Sequence, residues 1–215
     1  MEAINYLVAQ PSDAHNIVHL LANVFSESDP PAVAMGLGFD EMKEFLERFV
    51  PGILLQELTI VARSGEDGQV AGVMLSDDFA LPPAIEPGQI SLKLLPILSM
   101  LEALDEQFRE GKNISAGQFV HFFILGVDGR WAGQGVAQGL VQACVNNGSG
   151  RGYRAAVTEA TGRVSQHIFR KNGFADRFSV AYRDFIYEGR AVFDSIREHD
   201  AAILMEKRRF ERAQP

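Results

Sequence analysis

Apolar residues recur along the chain in two rhythms, and the switches between them predict its elements. Ile4 to Val8 reads as a first strand. Ser12 is placed to cap a helix that carries Ile17, Leu20, Leu21 and Val24 on one face. Ser26 to Pro31 breaks that pattern with two prolines. A second amphipathic helix follows from Phe39 to Phe49, its apolar face built by Met42, Phe45, Leu46 and Phe49, and Pro51-Gly52 ends it. Leu58 to Ala62 and Val70 to Leu75, joined across Gly65-Glu66-Asp67-Gly68, form a β-hairpin. Asp77 to Gly88, with Pro82, Pro83 and Pro87, is a loop. A leucine-rich helix then runs from Leu94 to Glu110 and stops at Gly111.

The longest apolar strand comes next, Phe119-Val120-His121-Phe122-Phe123-Ile124-Leu125-Gly126-Val127. Helical periodicity resumes at Val136, Leu140, Val141, Cys144 and Val145. Between them lies Arg130-Trp131-Ala132-Gly133-Gln134-Gly135. A strand, a glycine-bearing turn and a helix can cradle a phosphate, because glycines let backbone N–H groups approach an anion. The first helical turn adds unpaired donors and a positive dipole end. Two other phosphate loops fit poorly. A dinucleotide fingerprint needs a third glycine where Gln138 stands, and no Gly-Lys-Ser/Thr tripeptide closes a Walker loop anywhere in the chain. A nucleotide-binding oxidoreductase is disfavoured on the same grounds. Downstream, Ala155 to Glu159 reads as a strand, and a short helix ends at Lys171-Asn172-Gly173-Phe174. Two last strands span Arg177 to Ile186 and Ala202 to Lys207. The order predicts a mixed α/β fold around one central sheet.

Length and charge narrow the classes. With 215 residues the chain suits one domain, 1–215, able to bury its core without a disulfide or metal staple. The lone cysteine, Cys144, lies on the apolar stripe of the helix after the glycine turn and reads as a packed core thiol. A net charge of −8, from 28 acids against 20 bases, argues against nucleic acid and mildly favours cationic small molecules. The basic cluster Lys207-Arg208-Arg209 with Arg212 is a solvated end. Without a leader or a long apolar run, the expectation is a cytoplasmic protein with no membrane partner.

The turn Arg-x-x-Gly-x-Gly, together with the downstream helix and its Gly-Phe exit, resembles the GNAT-type N-acetyltransferases. The added helix before the long strand, and Val24-Phe25-Ser26-Glu27-Ser28-Asp29-Pro30-Pro31, loosely resemble the arylalkylamine and dopamine N-acetyltransferase branch. There a Phe-x-x-Glu-Pro-like motif follows the first helix; here Asp29-Pro30 stands in its place with one residue inserted. The resemblance spans nearly the whole chain. It implies a mostly antiparallel sheet of about seven strands, splayed between the fourth and fifth, with helices on both faces. It also implies acetyl-CoA as co-substrate, no metal, and direct acetyl transfer to a small primary amine; a homodimer is compatible with it. A non-catalytic acyl-CoA-binding or sensing module that kept the loop is the alternative.

The same resemblance distributes roles. Leu125, Gly126 and Val127 would meet the thioester and pantetheine, with a bulge or splay suggested at Gly126. Arg130, Gly133, Gln134, Gly135, Val136 and Ala137 would wrap the pyrophosphate. Acetyl transfer requires the amine to lose its proton, since an ammonium of pKa ~10 has no lone pair. Asp29 is the candidate base, Glu27 the second and Glu159 a further acid near the cleft; both N-terminal acids could equally be helix caps. His121, mid-strand among apolar residues, reads first as a satisfied core histidine. The slot where many such enzymes place a tyrosine to protonate the thiolate is Phe169, so Thr161 and Ser165 are the hydroxyls implicated instead. His15 and His19 share a helix face without a metal-site glutamate between them.

Overall fold

The computed structural model describes residues 3–83, 90–208 and 210. Among these residues seven strands line up in one sheet in the order β1-β2-β3-β4-β5-β7-β6. They are β1 (Ile4–Val8), β2 (Ile60–Ser64), β3 (Val70–Asp78), β4 (Phe119–Val127), β5 (Ala155–Ala160), β6 (Ala175–Ala181) and β7 (Ala201–Arg208). Neighbours run antiparallel except β4 and β5, which are parallel. Among the described residues six helices flank the sheet: α1 (Ala14–Ser28), α2 (Pro30–Ala34), α3 (Phe39–Leu54), α4 (Leu95–Arg109), α5 (Val136–Gly150) and α6 (Arg163–Lys171). The expected mixed α/β, mostly antiparallel architecture is what the chain adopts.

Each face of the sheet has its own core. Ile17, Leu21, Phe45, Met100 and Leu104 from α1, α3 and α4 cover one side of Val73, Leu75 and Ile124. On the other, α5 and α6 pack Leu140, Val141, Cys144 and Phe169 against Met74, Val120 and Phe122. Burial pushes the Cys144 thiol up to about 12, so it is an inert core group, as its place on the stripe implied.

Several boundaries differ from those the pattern predicts. A 3₁₀ turn over Pro11–Asp13 precedes α1, and Asp13 rather than Ser12 satisfies its entry, its carboxylate accepting from the Gln10 N–H at 2.8 Å. Pro51 does not end α3. The helix continues to Leu54 because Val50, Ile53 and Leu54 extend its buried stripe, and that burial outweighs one missing N–H. Asp77 and Asp78, read as loop, complete β3; the rest of that loop from residue 84 to 88 lies outside the described residues, as do Arg209 and Arg212. The strand expected over Arg177–Ile186 ends at Ala181 and passes into a 3₁₀ turn.

Two irregularities shape the centre of the sheet. β4 and β5 pair only where Phe119–His121 meet Ala155–Val157, and beyond this the strands are no longer paired. The register between β3 and β4 slips, with Leu75 opposite Ile124 but Ser76 opposite Phe122. The bulge is therefore at Phe123 and not at Gly126, and it places Phe123 and Ile124 on the same face. Gly126 has a different cause: a Cβ there would sit 2.6 Å from a Leu21 methyl, so its bareness lets α1 lie directly on β4.

Candidate active site

The turn after β4 is built by local hydrogen bonds. The Asp128 carboxylate accepts from the Arg130 N–H at 2.9 Å and starts a 3₁₀ turn over Gly129–Trp131. The chain then reverses through Gly133 (φ 73°) and Gly135 (φ 83°), both left-handed, and enters the 15-residue α5. Nothing lies within 4 Å of where a Cβ would stand on either glycine. The N–H groups of Gly133, Gly135, Val136, Ala137 and Gln138 find no acceptor among the described residues. Open space, free donors and a helix dipole meet at one spot, which is the chemistry an anion needs.

From this cradle a groove of about 620 Å³ runs past Leu125, Val127, Trp131, Val136 and Ile168 to Asp29, Thr161 and Ser165. Of the loop residues singled out in the sequence, Gly133, Gly135, Val136 and Ala137 line it. The side chains of Arg130 and Gln134 do not. The Arg130 guanidinium donates twice to Asp128 at 3.0 Å and once to Gln69 at 2.9 Å, and lies 4.4 Å over the Trp131 ring. It faces a separate depression shared with His15, His19 and Glu27. Gln134 donates its amide to the Arg130 carbonyl at 3.0 Å. Gly126 is packed beneath α1.

The groove narrows into a neck of about 90 Å³ that shares Phe25, Asp29, Leu125, Thr161 and Ser165 with it. Asp29 separates α1 from α2. Its backbone is extended (φ −76°, ψ 121°), and its carboxylate accepts from the Ala32 N–H at 3.0 Å and from the Thr161 hydroxyl at 2.5 Å. The cap role and the cleft role thus fall on the same side chain. Burial pushes its pKa up to about 6, against the pull of those two donors. Tyr182 donates to the Thr161 carbonyl at 2.5 Å and fixes that residue. Ser165 faces the neck but donates to the Gly162 carbonyl at 2.8 Å and accepts from the Gly162 N–H at 3.4 Å, the second contact capping α6. Glu27 is apart from this group: α1 continues to Ser28, so Glu27 remains on its solvent-facing side. Phe169 is buried against Phe174 at 5.0 Å, and its edge lines the neck.

A further cavity, of about 550 Å³, adjoins the neck through Leu98, Leu101, Phe123 and Glu159. Here β3, β4 and β5 present a buried charged chain. Asp77 lies opposite His121 in the ladder, with Oδ1 2.9 Å from His121 Nδ1, and Glu159 Oε2 is 2.8 Å from Nε2. Burial alone would lower the His121 pKa, but the flanking Glu159 and Asp77 carboxylates hold it well above the usual histidine range. His121 is the satisfied core histidine that its apolar setting suggested. Asp105, from α4, closes the chain against Glu159; burial first, then that negative neighbour, pushes it up to about 9. Neither Asp77 nor Asp105 stood out in the sequence. The signal for Asp77 was its parity with His121 across an antiparallel pair, which requires the register to be known. Among the described residues, no group of three or more His, Cys, Asp or Glu side chains has the geometry to hold a metal ion. No helix among them is long and apolar enough to cross a membrane.

No family model matches the chain. Solved structures do. The C-terminal condensation domain of Ebony, in complex with beta-alanyl-dopamine, superposes with a TM-score of 0.89 at 13% identity, covering 97% of this chain and 100% of that one. Arylalkylamine N-acetyltransferase 2 from Aedes aegypti gives 0.80 at 23% identity, over 95% of this chain and 98% of its own. The polyamine N-acetyltransferase of Drosophila melanogaster, which forms N-acetylagmatine, gives 0.74 at 16% identity, over 96% and 100%. Sheet order, parted strands and glycine turn therefore belong to one architecture: the chain has the fold of the GNAT-type N-acetyltransferases, in the form shared by the arylalkylamine and polyamine enzymes.

Proposed function

We propose that the protein is an acyl-CoA-dependent N-acyltransferase that passes the acyl group, acetyl in the simplest case, directly to a small primary amine. The observation that carries this reading is the continuity of three parts: an anion cradle with free N–H groups, a groove along the open side of β4, and a neck closed by a buried carboxylate. In this reading the glycine turn and the first turn of α5 hold the pyrophosphate. The parted edge of β4 from Leu125 to Val127 lies along the pantetheine in the manner of an added strand, and its backbone N–H groups meet the thioester carbonyl as it becomes an oxyanion. Asp29 takes the ammonium proton, directly or through water, with Thr161 holding it in place. Thr161 and Ser165 are the hydroxyls offered to the leaving thiolate, since Phe169 has no proton to give. Arg130 acts through its backbone and by bracing the turn rather than as a phosphate ligand. The fold neighbours named for N-acetyltransfer to arylalkylamines and polyamines agree with this reading.

A second reading of the donor has its own support. The condensation domain solved with beta-alanyl-dopamine matches with a TM-score of 0.89 over both whole chains. On that likeness the acyl group would itself carry an amine. Both readings make one common prediction. CoA and acetyl-CoA raise the melting temperature in a concentration-dependent way, worth ~2.7 kcal/mol at a hundredfold excess over Kd, while NAD and ATP leave it unchanged. A shift with NAD and none with either CoA species would overturn both.

A further inference from the structure

We propose that Tyr182 is a positioning residue for the acyl transfer read above: its hydroxyl holds the Thr161 backbone so that the Thr161 side chain stays aimed at Asp29, the proton acceptor. The proposal rests on that reading of Asp29. Thr161 and Gly162 link β5 to α6. At this level β5 has parted from β4 and keeps a ladder only with β7, ending where Ala160 meets Ile203. The open groove depends on that parting, so Thr161 must be fixed by something other than a strand on the β4 side.

Tyr182 supplies that contact. Its hydroxyl donates to the Thr161 carbonyl at 2.5 Å, and the Thr161 hydroxyl donates to Asp29 Oδ1 at 2.5 Å. A threonine side chain has few staggered positions, so orienting its peptide largely sets where Oγ1 points. The tyrosine itself is well anchored. It is 1% exposed, its ring packs edge-on against Phe193 at 5.8 Å, and its N–H donates to the Asp200 carbonyl at 3.1 Å. Burial, and then the nearby Asp29 charge, keep its proton on far above the usual tyrosine range, so it remains a donor throughout the Asp29 titration. A buried tyrosine can satisfy its hydroxyl on any free carbonyl. Here the carbonyl belongs to the residue that holds the base. Other charges around Asp29 are few or already engaged. On the neck wall Glu159 hydrogen-bonds His121, and in the groove His199 accepts from the Arg163 N–H at 3.0 Å. Glu27 faces the separate depression, α2 carries no titratable side chain, and Arg163, Arg183 and Asp184 are exposed.

A pH profile combined with a double-variant cycle tests this. The Thr161 hydroxyl pulls the Asp29 pKa down while burial pushes it up to about 6, so loosening that hydroxyl moves the rising limb of kcat/KM to higher pH. Thr161→Val should move the limb by about one pH unit, and Tyr182→Phe, which keeps the ring, by about half of one. Together they should move it no further than Thr161→Val alone, because Tyr182 acts only through Thr161. CoA affinity should stay within about twofold in Tyr182→Phe, since Tyr182 does not line the groove. Titration of the Asp29 carboxyl followed by NMR should give the same shifts without turnover. A limb and a carboxyl titration unmoved by Tyr182→Phe would overturn the proposal, as would additive shifts in the double variant. So would loss of a cooperative thermal transition in Tyr182→Phe, which would make the hydroxyl a requirement of the fold alone. Failure of the acyl-transfer reading shows separately, as absence of thiol release in the unmodified protein whatever the carboxyl titration gives.

Discussion

A Gly135→Val protein is expected to fold and to lose CoA binding. Gly135 stands at φ 83° with open space where a Cβ would point, and it is the last residue before α5. A β-branched residue resists the left-handed region at a cost of ~1–3 kcal/mol, which a domain with a typical stability of ~5–15 kcal/mol survives. The open space is a different matter. If the pyrophosphate lies against this backbone, the valine methyls occupy its volume, and relaxation of the turn moves the N–H groups of Val136 and Ala137 off target. Affinity for CoA should fall below detection by calorimetry while circular dichroism and a cooperative thermal transition remain. Unchanged CoA affinity in a folded variant would place the cradle elsewhere.

Asp29→Asn should lower kcat/KM for the amine by about 10²–10⁴, with little change in CoA affinity. Asparagine keeps an acceptor for the Ala32 N–H but cannot take a proton. The pH dependence identifies the role. The Asp29 pKa is raised to about 6, so the carboxylate is available as a base only above that pH. In the unmodified enzyme kcat/KM should rise through pH 6; in the variant that limb disappears, and the deficit shrinks at high pH as free amine accumulates. Stability gives an independent sign. A carboxyl whose folded pKa lies above its unfolded value near 3.8 contributes most below pH 3.8, and that contribution is lost as pH rises through about 6. Asparagine does not titrate, so the stability difference should move in the variant's favour between pH 4 and pH 6. A carboxylate that served only as an exposed cap would move it the other way. Glu27→Gln, on the solvent side of α1, should leave turnover unchanged. If both variants are fully active at pH 7, Glu159 becomes the proton acceptor to test.

Much of this architecture was legible because burial writes itself into periodicity. β1 and β4 begin and end where apolar alternation and turn residues set them, and the Gly133–Gly135 turn was recognisable because left-handed backbone calls for glycine. What stayed hidden depends on contacts between distant segments. Nothing local shows that Pro51 sits inside a helix, because the deciding term is the burial of Val50, Ile53 and Leu54 against the core. The bulge at Phe123 arises from pairing with β3, and Gly126, which looked like its marker, answers to a leucine of α1 instead. Arg130 matched a motif, yet its guanidinium was claimed by Asp128, two residues earlier. The Asp77–His121–Glu159–Asp105 chain draws on β3, β4, β5 and α4; Glu159 and His121 were singled out separately, but Asp77 read as loop and Asp105 as an ordinary helix residue, so nothing local joined the four.

The groove and neck are proposed to transfer an acyl group to an amine. Release of free CoA thiol from acetyl-CoA and from β-alanyl-CoA, followed across a panel of arylalkylamines, diamines and agmatine at pH 8, tests it most directly. The expected result is amine-dependent thiol release with at least one donor, with formation of the matching amide and a drop of at least a hundredfold in Asp29→Asn. CoA binding without thiol release for any amine in the panel would contradict it and would make the protein an acyl-CoA-binding module that keeps the cradle without the chemistry.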